Sequence, residues 1–131
     1  MEPLTTEYSL IKNENSIMRV LDNGILHINY PKGVEIDETD IRDIQKGYDS
    51  LPYPKPLKIL QELELHVNMT ADARKYAAEH SPDLTGVAYV IKSLGQRLLI
   101  RFYVRMWKRD KPIQVFESYK EALEWLECLE Q

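Results

Sequence analysis

The stretch that decides the fold is "LKILQELELHVNMTADARKYAAEH", residues 57–80. In its first half apolar and polar residues alternate, so that Leu63, Leu65 and Val67 share one side, as in a strand with one buried face. In its second half apolar residues recur at helical spacing, and Thr70 stands at the start of that pattern as a helix cap. The stretch therefore predicts a strand followed directly by a helix, which is the repeating unit of a parallel sheet.

Upstream of this unit, residues 16–30 contain two short apolar runs separated by an Asp-Asn-Gly turn. Asn and Gly tolerate the positive φ angles of a tight hairpin, so the two runs are predicted to be antiparallel strands. On the second strand Leu26, Ile28 and Tyr30 fall on one face, and the residues between them fall on the other.

Three further helices have start signals in the sequence. Asp37 precedes one helical pattern as its N-cap. Ser93 with Gln96, and Ser118 with Glu121, have the spacing of a capping box, in which the two side chains bond each other's backbone amides. These signals predict helices after each of the three caps.

Two more apolar runs, "GVAYVIK" and "KPIQVF", are predicted to be strands. The element order is then β-β-α-β-α-β-α-β-α, which predicts an α/β fold with a mixed five-stranded sheet and four helices. Residues 1–15 are expected to be a polar lead-in, with at most one short strand, and residues 16–131 a single domain.

Composition limits the class of protein. The 131 residues are 44% hydrophobic, enough for one core, and the net charge of −4 disfavours general attraction to nucleic acids. The start lacks a secretion signal, and no apolar run is long enough to span a bilayer, so we expect a cytoplasmic protein.

Several segments resemble a known fold family. They are "LDNGILHI", "KPLKIL" leading to "MTADARKYAAE", "VAYVIKSLGQRLLIRFY" and "KPIQVFESYKEALEWL". From about Ser16 to the end, the chain resembles the SpoIIAA-like branch of the STAS fold, especially the small bacterial STAS/SEC14-type domains of uncharacterised function. The resemblance implies a SpoIIAA-like fold, and it assigns no activity.

Thr70 has two interpretations. The anti-sigma factor antagonists of this fold carry a phosphorylated serine at the start of the helix after the third strand, and Thr70 occupies the similar junction. The resemblance therefore implies a phosphorylation site at Thr70, although the Asp-Ser-Ser/Thr-Gly type of motif is replaced here by Asn-Met-Thr-Ala-Asp. The alternative is that Thr70 is only the helix cap, a role that contributes about 1 kcal/mol.

The helix predicted after Ser93, which extends to about residue 107, carries a basic stripe on one face. The stripe consists of Arg97, Arg101, Arg105 and Lys108. It is either a solvated edge paired with acidic residues, such as Glu121 or Glu124 of the last helix, or a clamp for a phosphate, an acidic peptide or a lipid headgroup.

The same helix has an apolar arc wider than one sheet face requires. Its members are Leu98, Leu99, Ile100, Phe102, Tyr103, Val104, Met106 and Trp107. Three partners could cover the surplus: another helix of the same chain, a homodimer or protein partner, or an apolar ligand.

No complete catalytic or metal motif is present. Glu62 and Glu64 share one side of a strand, but no third residue accompanies them as an acid-base site would require. The three histidines lack the short spacings of zinc ligands, and no glycine-rich phosphate loop occurs. We expect a non-enzyme without metal or cofactor.

These observations predict a regulatory module that binds a protein partner or forms a homodimer. The predicted surface joins the helix start to the basic stripe through Thr70, Asp72, Arg74, Arg97, Arg101 and Arg105. The alternative is a carrier or sensor of a small anionic or lipid-like ligand, with Arg97 at the charged end of the ligand.

Overall fold

Twelve secondary-structure elements follow one another in the described part of the chain. A computed structural model describes residues 10–80, 83–106 and 112–129, with the backbone alone at residues 103, 104 and 106. The strands are β1 (Leu10–Lys12), β2 (Ile17–Val20), β3 (Leu26–Tyr30), β4 (Glu35–Ile36), β5 (Lys58–Leu63), β6 (Asn68–Met69), β7 (Gly86–Ile91) and β8 (Ile113–Phe116). The helices are α1 (Glu38–Ser50), α2 (Ala71–Glu79), α3 (Leu94–Met106) and α4 (Tyr119–Cys128).

The main sheet has six strands in the order β1-β2-β3-β5-β7-β8. β1, β2 and β3 are antiparallel, whereas β3, β5, β7 and β8 run parallel. Each parallel connection contains a helix, because a chain that re-enters a sheet in the same direction must cross over one of its faces. The predicted mixed α/β architecture with four helices is confirmed.

The central strands are covered on both faces. On one face Ile59 and Leu63 of β5 belong to a core that includes residues of α1, α2 and α3. On the other face Leu60 packs with Ala122 and Leu126 of α4. Burial on both sides explains why the central strands contain nearly continuous apolar runs.

The starts of α1 and α2 are tied together. β4 and β6 form a small parallel sheet of their own, and the Thr70 amide donates to the Ile36 carbonyl at 2.9 Å. Asp37 caps α1 through a reciprocal capping box with Asp40. Ile36 and Ile41, on either side of this cap, are both buried, as in a hydrophobic staple.

The sheet has six strands rather than the expected five. The additional strand is β1, which lies within residues 1–15, the stretch expected to be a lead-in, and pairs with β2 at the sheet edge. A strand of three residues is too short to show a recognisable alternation, and it becomes stable only because β2 supplies its hydrogen-bonding partner.

The strand predicted to run through Val67 ends earlier, at Leu63. The chain turns after it, and His66 adopts a positive φ of 66°. Because the alternation is interrupted by this turn, Leu65 is 42% exposed, whereas Leu63 and Val67 are buried. The prediction that the three residues share a strand face was therefore wrong, because only Leu63 belongs to a strand, although Val67 is also buried.

Candidate functional site

A cavity of about 210 Å³ lies between the main sheet and the helices α1, α2 and α3. Strands β3, β5, β7 and β8 form its floor, and the three helices form its roof. Its walls are mostly hydrocarbon, with Ile28, Ile59, Val87, Ile44, Ala77 and Ile100 among the lining residues. Leu99 and Asn68 also line the cavity and are exposed, so they mark the side on which it meets solvent.

One polar pair interrupts the apolar floor. Tyr30 on β3 donates a hydrogen bond of 2.6 Å to Oε1 of Gln61 on β5. Burial, together with the neighbouring Tyr89 and Asp40, raises the pKa of the Tyr30 hydroxyl well above its usual range. Tyr30 therefore remains a neutral hydrogen-bond donor at any physiological pH.

A second polar group, Gln96, enters from the roof. Gln96 lies in the first turn of α3, where its backbone amide donates to Ser93 Oγ at 3.4 Å. Its side-chain amide nitrogen donates to the Val67 carbonyl. Its amide oxygen is buried, and no donor from the described residues reaches it.

Tyr48 stabilises the α1 side of the cavity. Its hydroxyl donates to the Asp83 carbonyl at 3.0 Å and accepts from the Leu57 amide, also at 3.0 Å. Burial raises the pKa of this hydroxyl, while its hydrogen bond to the Leu57 amide lowers it by a smaller amount. The ring therefore joins α1 to the segments that enter β5 and β7.

The polar residues of the cavity were not predicted from the sequence. Gln61 lies between Ile59 and Leu63 on the inward side of β5, so a polar residue on an apolar face was the available signal. Gln96 was expected to complete a capping box with Ser93. The prediction that the Gln96 side chain bonds the Ser93 amide was wrong, because this side chain donates to the Val67 carbonyl instead.

Thr70 acts as the N-cap of α2, as predicted. Its Oγ1 accepts from the Ala73 amide at 3.1 Å. Asp72 is exposed in the first turn, where a carboxylate interacts favourably with the helix dipole. Arg74 lines the cavity and donates to the Met69 carbonyl at 2.7 Å.

The three predicted arginines of α3 have different environments. Arg97 donates to the carbonyls of Ile91 and Lys92, and its side chain is 13% exposed. It also pairs with Glu117 at 3.2 Å, rather than with an acidic residue of α4. Arg101 and Arg105 are exposed. The fourth member of the stripe, Lys108, lies outside the described residues.

The outer surface of α3 is unusually apolar. Its exposed members are Leu94, Leu98, Leu99 and Phe102, each at least 50% accessible. Trp107 and the side chains of Tyr103, Val104 and Met106, which were assigned to the same arc, lie outside the described part of the chain. None of the described helices is long and apolar enough to cross a bilayer.

A charged network occupies the opposite face of the sheet, beside α4. His27 contacts Glu62 at 2.9 Å, and Lys92 contacts Glu64 at 2.8 Å and Glu62 at 3.6 Å. Asn29 donates to Glu64 at 3.1 Å. Hydrogen bonds from Lys92 and then Asn29 lower the pKa of Glu64. Contacts within the protein thus account for the position of both glutamates, and a catalytic role is not needed to explain them.

The solved structures that resemble the chain include two proteins of unknown function. One is an uncharacterised protein of the DUF3478 family from Shewanella loihica PV-4 with a SpoIIAA-like fold, at 16% identity and a TM-score of 0.54, with 89% of each chain covered. The other is a protein of unknown function from Arthrobacter sp. FB24, at 21% identity and a TM-score of 0.30, covering 95% of this chain and 96% of that chain. The first likeness supports the predicted SpoIIAA-like fold, and the second carries no structural argument.

Comparison with curated proteins finds no match. A family model described as a domain of unknown function, DUF7793, matches residues 19–130, which include all of the main sheet except β1 and the first two residues of β2. The match extends over both the cavity and the surface of α3. The chain therefore belongs to the DUF7793 family.

Proposed function

We propose that this domain binds a small apolar molecule in the cavity between the sheet and α1, α2 and α3, as a carrier or sensor. The observation that carries the proposal is the cavity itself, a largely apolar space between the sheet and three helices that meets solvent on one side, as ligand sites commonly do. An unfilled apolar space costs stability through the contacts that its walls lose. A bound apolar molecule would restore those contacts.

The cavity volume indicates the size of the ligand. A cavity of about 150 Å³ is sufficient for benzene. The volume of about 210 Å³ therefore suits one aromatic ring with a few additional atoms, or a short aliphatic chain. A whole phospholipid is too large, so the lipid-like alternative is narrowed to a small apolar molecule.

The charges around the cavity favour a neutral ligand. Arg97, which was expected to hold an anionic group, is not a lining residue and donates to the carbonyls of β7 and its following residue. Arg74 is the cation on the wall, and it donates to the Met69 carbonyl. Burial of an anion is costly away from a cation, so a largely apolar lining with one arginine among its described residues suits a neutral ligand better than an anionic one.

Binding is supported better than catalysis. Apart from tyrosine and arginine, the described lining residues have no ionisable side chains, and no carboxylate, imidazole, thiol or amine is among them. General acid-base catalysis usually relies on these groups. The cavity thus offers shape and hydrogen bonds without an evident proton-transfer group.

Indene, a nine-carbon bicyclic hydrocarbon, tests the proposal by calorimetric titration and by its effect on the melting temperature. We expect saturable binding and a rise in melting temperature. Ala77→Leu would place a larger side chain in the cavity and abolish binding, while keeping or raising stability because it fills empty space.

The matched control is Ala78→Leu, since Ala78 is the next residue of α2 and is exposed. Indene should bind this variant as it binds the unaltered protein. Absence of saturable binding to the unaltered protein, or equal binding to both leucine variants, would contradict the proposal.

A second candidate function, regulatory binding of a protein partner, is supported by the outer surface of α3. Leu94, Leu98 and Leu99 are exposed there beside Arg101 and Arg105, a combination of apolar and arginine residues that is common in interfaces. This candidate function belongs with three further predictions from the sequence: a bacterial origin, a cytoplasmic location and phosphorylation of Thr70.

The joint replacement Arg101→Ala and Arg105→Ala tests this candidate by affinity capture from native cells. We expect loss of a specific partner with an unchanged melting temperature, and Lys120→Ala serves as an exposed control in α4. If the arginine variant and the Lys120→Ala control capture the partner equally, the two arginines do not contribute to partner binding. Intact-mass analysis of the same preparation reports whether Thr70 carries phosphate.

A further inference from the structure

Gln61 lies on the floor of the cavity and is only partly buried. It belongs to the central strand β5, where its neighbours across the parallel ladder are Ile28 of β3 and Tyr89 of β7, and all three residues line the cavity. Its side chain shares the face of Ile59 and Leu63, which is the face that α1, α2 and α3 cover. Because strands flank Gln61 on both sides and helices lie above it, its accessible surface opens into the cavity.

The orientation of the Gln61 amide follows from its hydrogen bond with Tyr30. The buried Tyr30 hydroxyl donates to Gln61 Oε1 at 2.6 Å. The reversed amide would place Nε2, a donor, against this hydroxyl, and the hydroxyl hydrogen would then have no acceptor among the described residues. The oxygen is therefore committed to Tyr30, and the nitrogen is the group that remains.

The remaining nitrogen is an accessible donor. The bond to Tyr30 is the hydrogen bond that the Gln61 side chain makes with the described residues, so its Nε2 has no acceptor among them. Within the same part of the chain, Gln96 Oε1 alone combines complete burial with the lack of a partner. Gln61 Nε2 also lacks a partner, so it is not completely buried, and a group in the cavity can reach it.

A ligand that fills the cavity displaces the water that can reach this nitrogen. A pure hydrocarbon would cover the N–H group without accepting from it, and a buried donor without an acceptor is destabilising. A ligand with an acceptor at this position replaces the hydrogen bond that water supplies. An anion also carries acceptor atoms, but the burial of its charge in a largely apolar lining is costly.

We propose that the ligand carries a neutral hydrogen-bond acceptor, such as a carbonyl oxygen, on its apolar body, and that Gln61 Nε2 donates to this acceptor. This inference rests on the proposed function and specifies the class of ligand, which is a small neutral ketone or related carbonyl compound. The hydrocarbon walls contact the body of the ligand, and the acceptor is directed at the middle of β5.

Indane and 1-indanone form the matched pair that tests the proposal. They share one bicyclic frame, and a CH₂ group of indane is replaced by a carbonyl group in 1-indanone. Water solvates the ketone more strongly, so the two affinities are not compared directly. The informative quantity is the ratio of the two dissociation constants in one protein variant against the same ratio in another, because the difference in solvation then cancels. Calorimetric titration measures each constant.

Two variants separate Gln61 from Tyr30. Tyr30→Phe keeps the Gln61 amide and should keep the relative affinity for 1-indanone. The double variant Tyr30→Phe with Gln61→Leu also removes the amide, and this relative affinity should fall roughly three- to tenfold, as the loss of one net hydrogen bond predicts. Tyr30→Phe is the reference because Gln61→Leu alone would free the Tyr30 hydroxyl to donate to the ketone in place of the amide.

The infrared spectrum of bound 1-indanone gives a second measurement that needs no variant. A hydrogen bond lowers the stretching frequency of a carbonyl group, and the stretch of this ketone lies above the amide band of the protein. With protein in excess, we expect a frequency lower than that of 1-indanone in cyclohexane. If the double variant does not fold, this spectrum still tests whether a donor reaches the carbonyl.

The outcomes separate this inference from the proposed function. Binding of neither indane nor 1-indanone overturns both. Binding of indane alone, or a carbonyl frequency equal to that in cyclohexane, overturns the donor and leaves the cavity as an apolar site. A ratio that is the same in Tyr30→Phe and the double variant overturns the role of Gln61. A ratio and a lowered frequency that are both lost in the double variant support it.

Discussion

Tyr30 and Gln61 lie on neighbouring parallel strands and share a hydrogen bond of 2.6 Å within a wall that is otherwise largely hydrocarbon. Each side chain satisfies the other in a place where water has limited access. A polar pair of this kind contributes little net free energy while complete, but losing one member is costly.

Tyr30→Phe should therefore destabilise the protein by about 1–3 kcal/mol, because it leaves the Gln61 oxygen without its donor. The double variant Tyr30→Phe with Gln61→Leu removes both polar groups and should recover part of the loss. Urea denaturation of Tyr30→Phe, Gln61→Leu and the double variant measures these effects. A double variant whose loss equals the sum of the single losses would show that the two residues do not interact.

Stability should fall at alkaline pH. The pKa of Tyr30 is raised in the folded state, chiefly by burial, whereas tyrosine in the unfolded chain ionises near pH 10. Above that pH the unfolded state loses a proton that the folded state retains, so each further unit costs up to about 1.4 kcal/mol. Tyr30→Phe should make the decline shallower, and denaturation at pH 9, 10 and 11 would measure it. Parallel curves for the two proteins would exclude Tyr30 as the cause.

The cap of α2 gives a third prediction. Thr70→Ala removes the acceptor of the Ala73 amide and should cost about 1 kcal/mol, whereas Thr70→Ser keeps the hydroxyl and should cost less. The denaturant midpoints of Thr70→Ala and Thr70→Ser, each compared with that of the unaltered protein, measure the two losses of stability. Equal losses would attribute the effect to the threonine methyl group instead of the hydrogen bond.

The charged network beside α4 should be visible in the titration of Glu64. The hydrogen bond from Lys92 is the largest cause of its lowered pKa, so Lys92→Met should move that pKa upward. Because the folded pKa is lowered, Glu64 contributes stability at neutral pH that is lost as the pH falls through this value. The variant should show a smaller acid-dependent loss.

NMR titration of the Glu64 carboxyl carbon measures this shift directly. Lys120→Met, an exposed replacement on α4, is the control that changes net charge by the same amount. A similar Glu64 pKa in both variants would mean that long-range charge, instead of the contact with Lys92, lowers it.

Two helical glycines should respond oppositely to alanine. A Cβ atom at Gly47 of α1 would lie 2.9 Å from Met18 Sδ, whereas one at Gly95 of α3 would come no closer than 3.9 Å to Ser93 Oγ. Both changes gain up to about 1 kcal/mol of helix propensity, but overpacking at Gly47 costs about 1–3 kcal/mol. Gly95→Ala should thus be the more stable variant by that margin in thermal unfolding. Equal stabilities would indicate that Met18 moves aside freely.

The elements that could be predicted from sequence are those with local signals. The turn before β3, the caps Asp37, Thr70 and Ser118, and the apolar pattern of β7 each depend on a few neighbouring residues. β1 was expected only as a short strand of the lead-in and not as part of the five-stranded sheet, because its three residues become a sheet strand only through pairing with β2.

The cavity had no local signal because its polar residues are far apart in the chain. Tyr30 and Gln61 come from two strands that parallel pairing places side by side, whereas Gln96 comes from the helix α3 that covers them. Gln96 also shows how a local rule is overridden. Its spacing from Ser93 suits a capping box. The side-chain nitrogen of Gln96 donates to the buried Val67 carbonyl instead, an acceptor that the capping box does not offer.

The poorly packed apolar space beneath α1, α2 and α3 also has a mechanical consequence. Unfolding eliminates internal voids, so the system volume decreases, typically by tens of millilitres per mole. With a cavity of about 210 Å³, the folded domain should be readily unfolded by hydrostatic pressure. A molecule that fills this space makes the interior less compressible, so the pressure needed for unfolding would rise with its concentration.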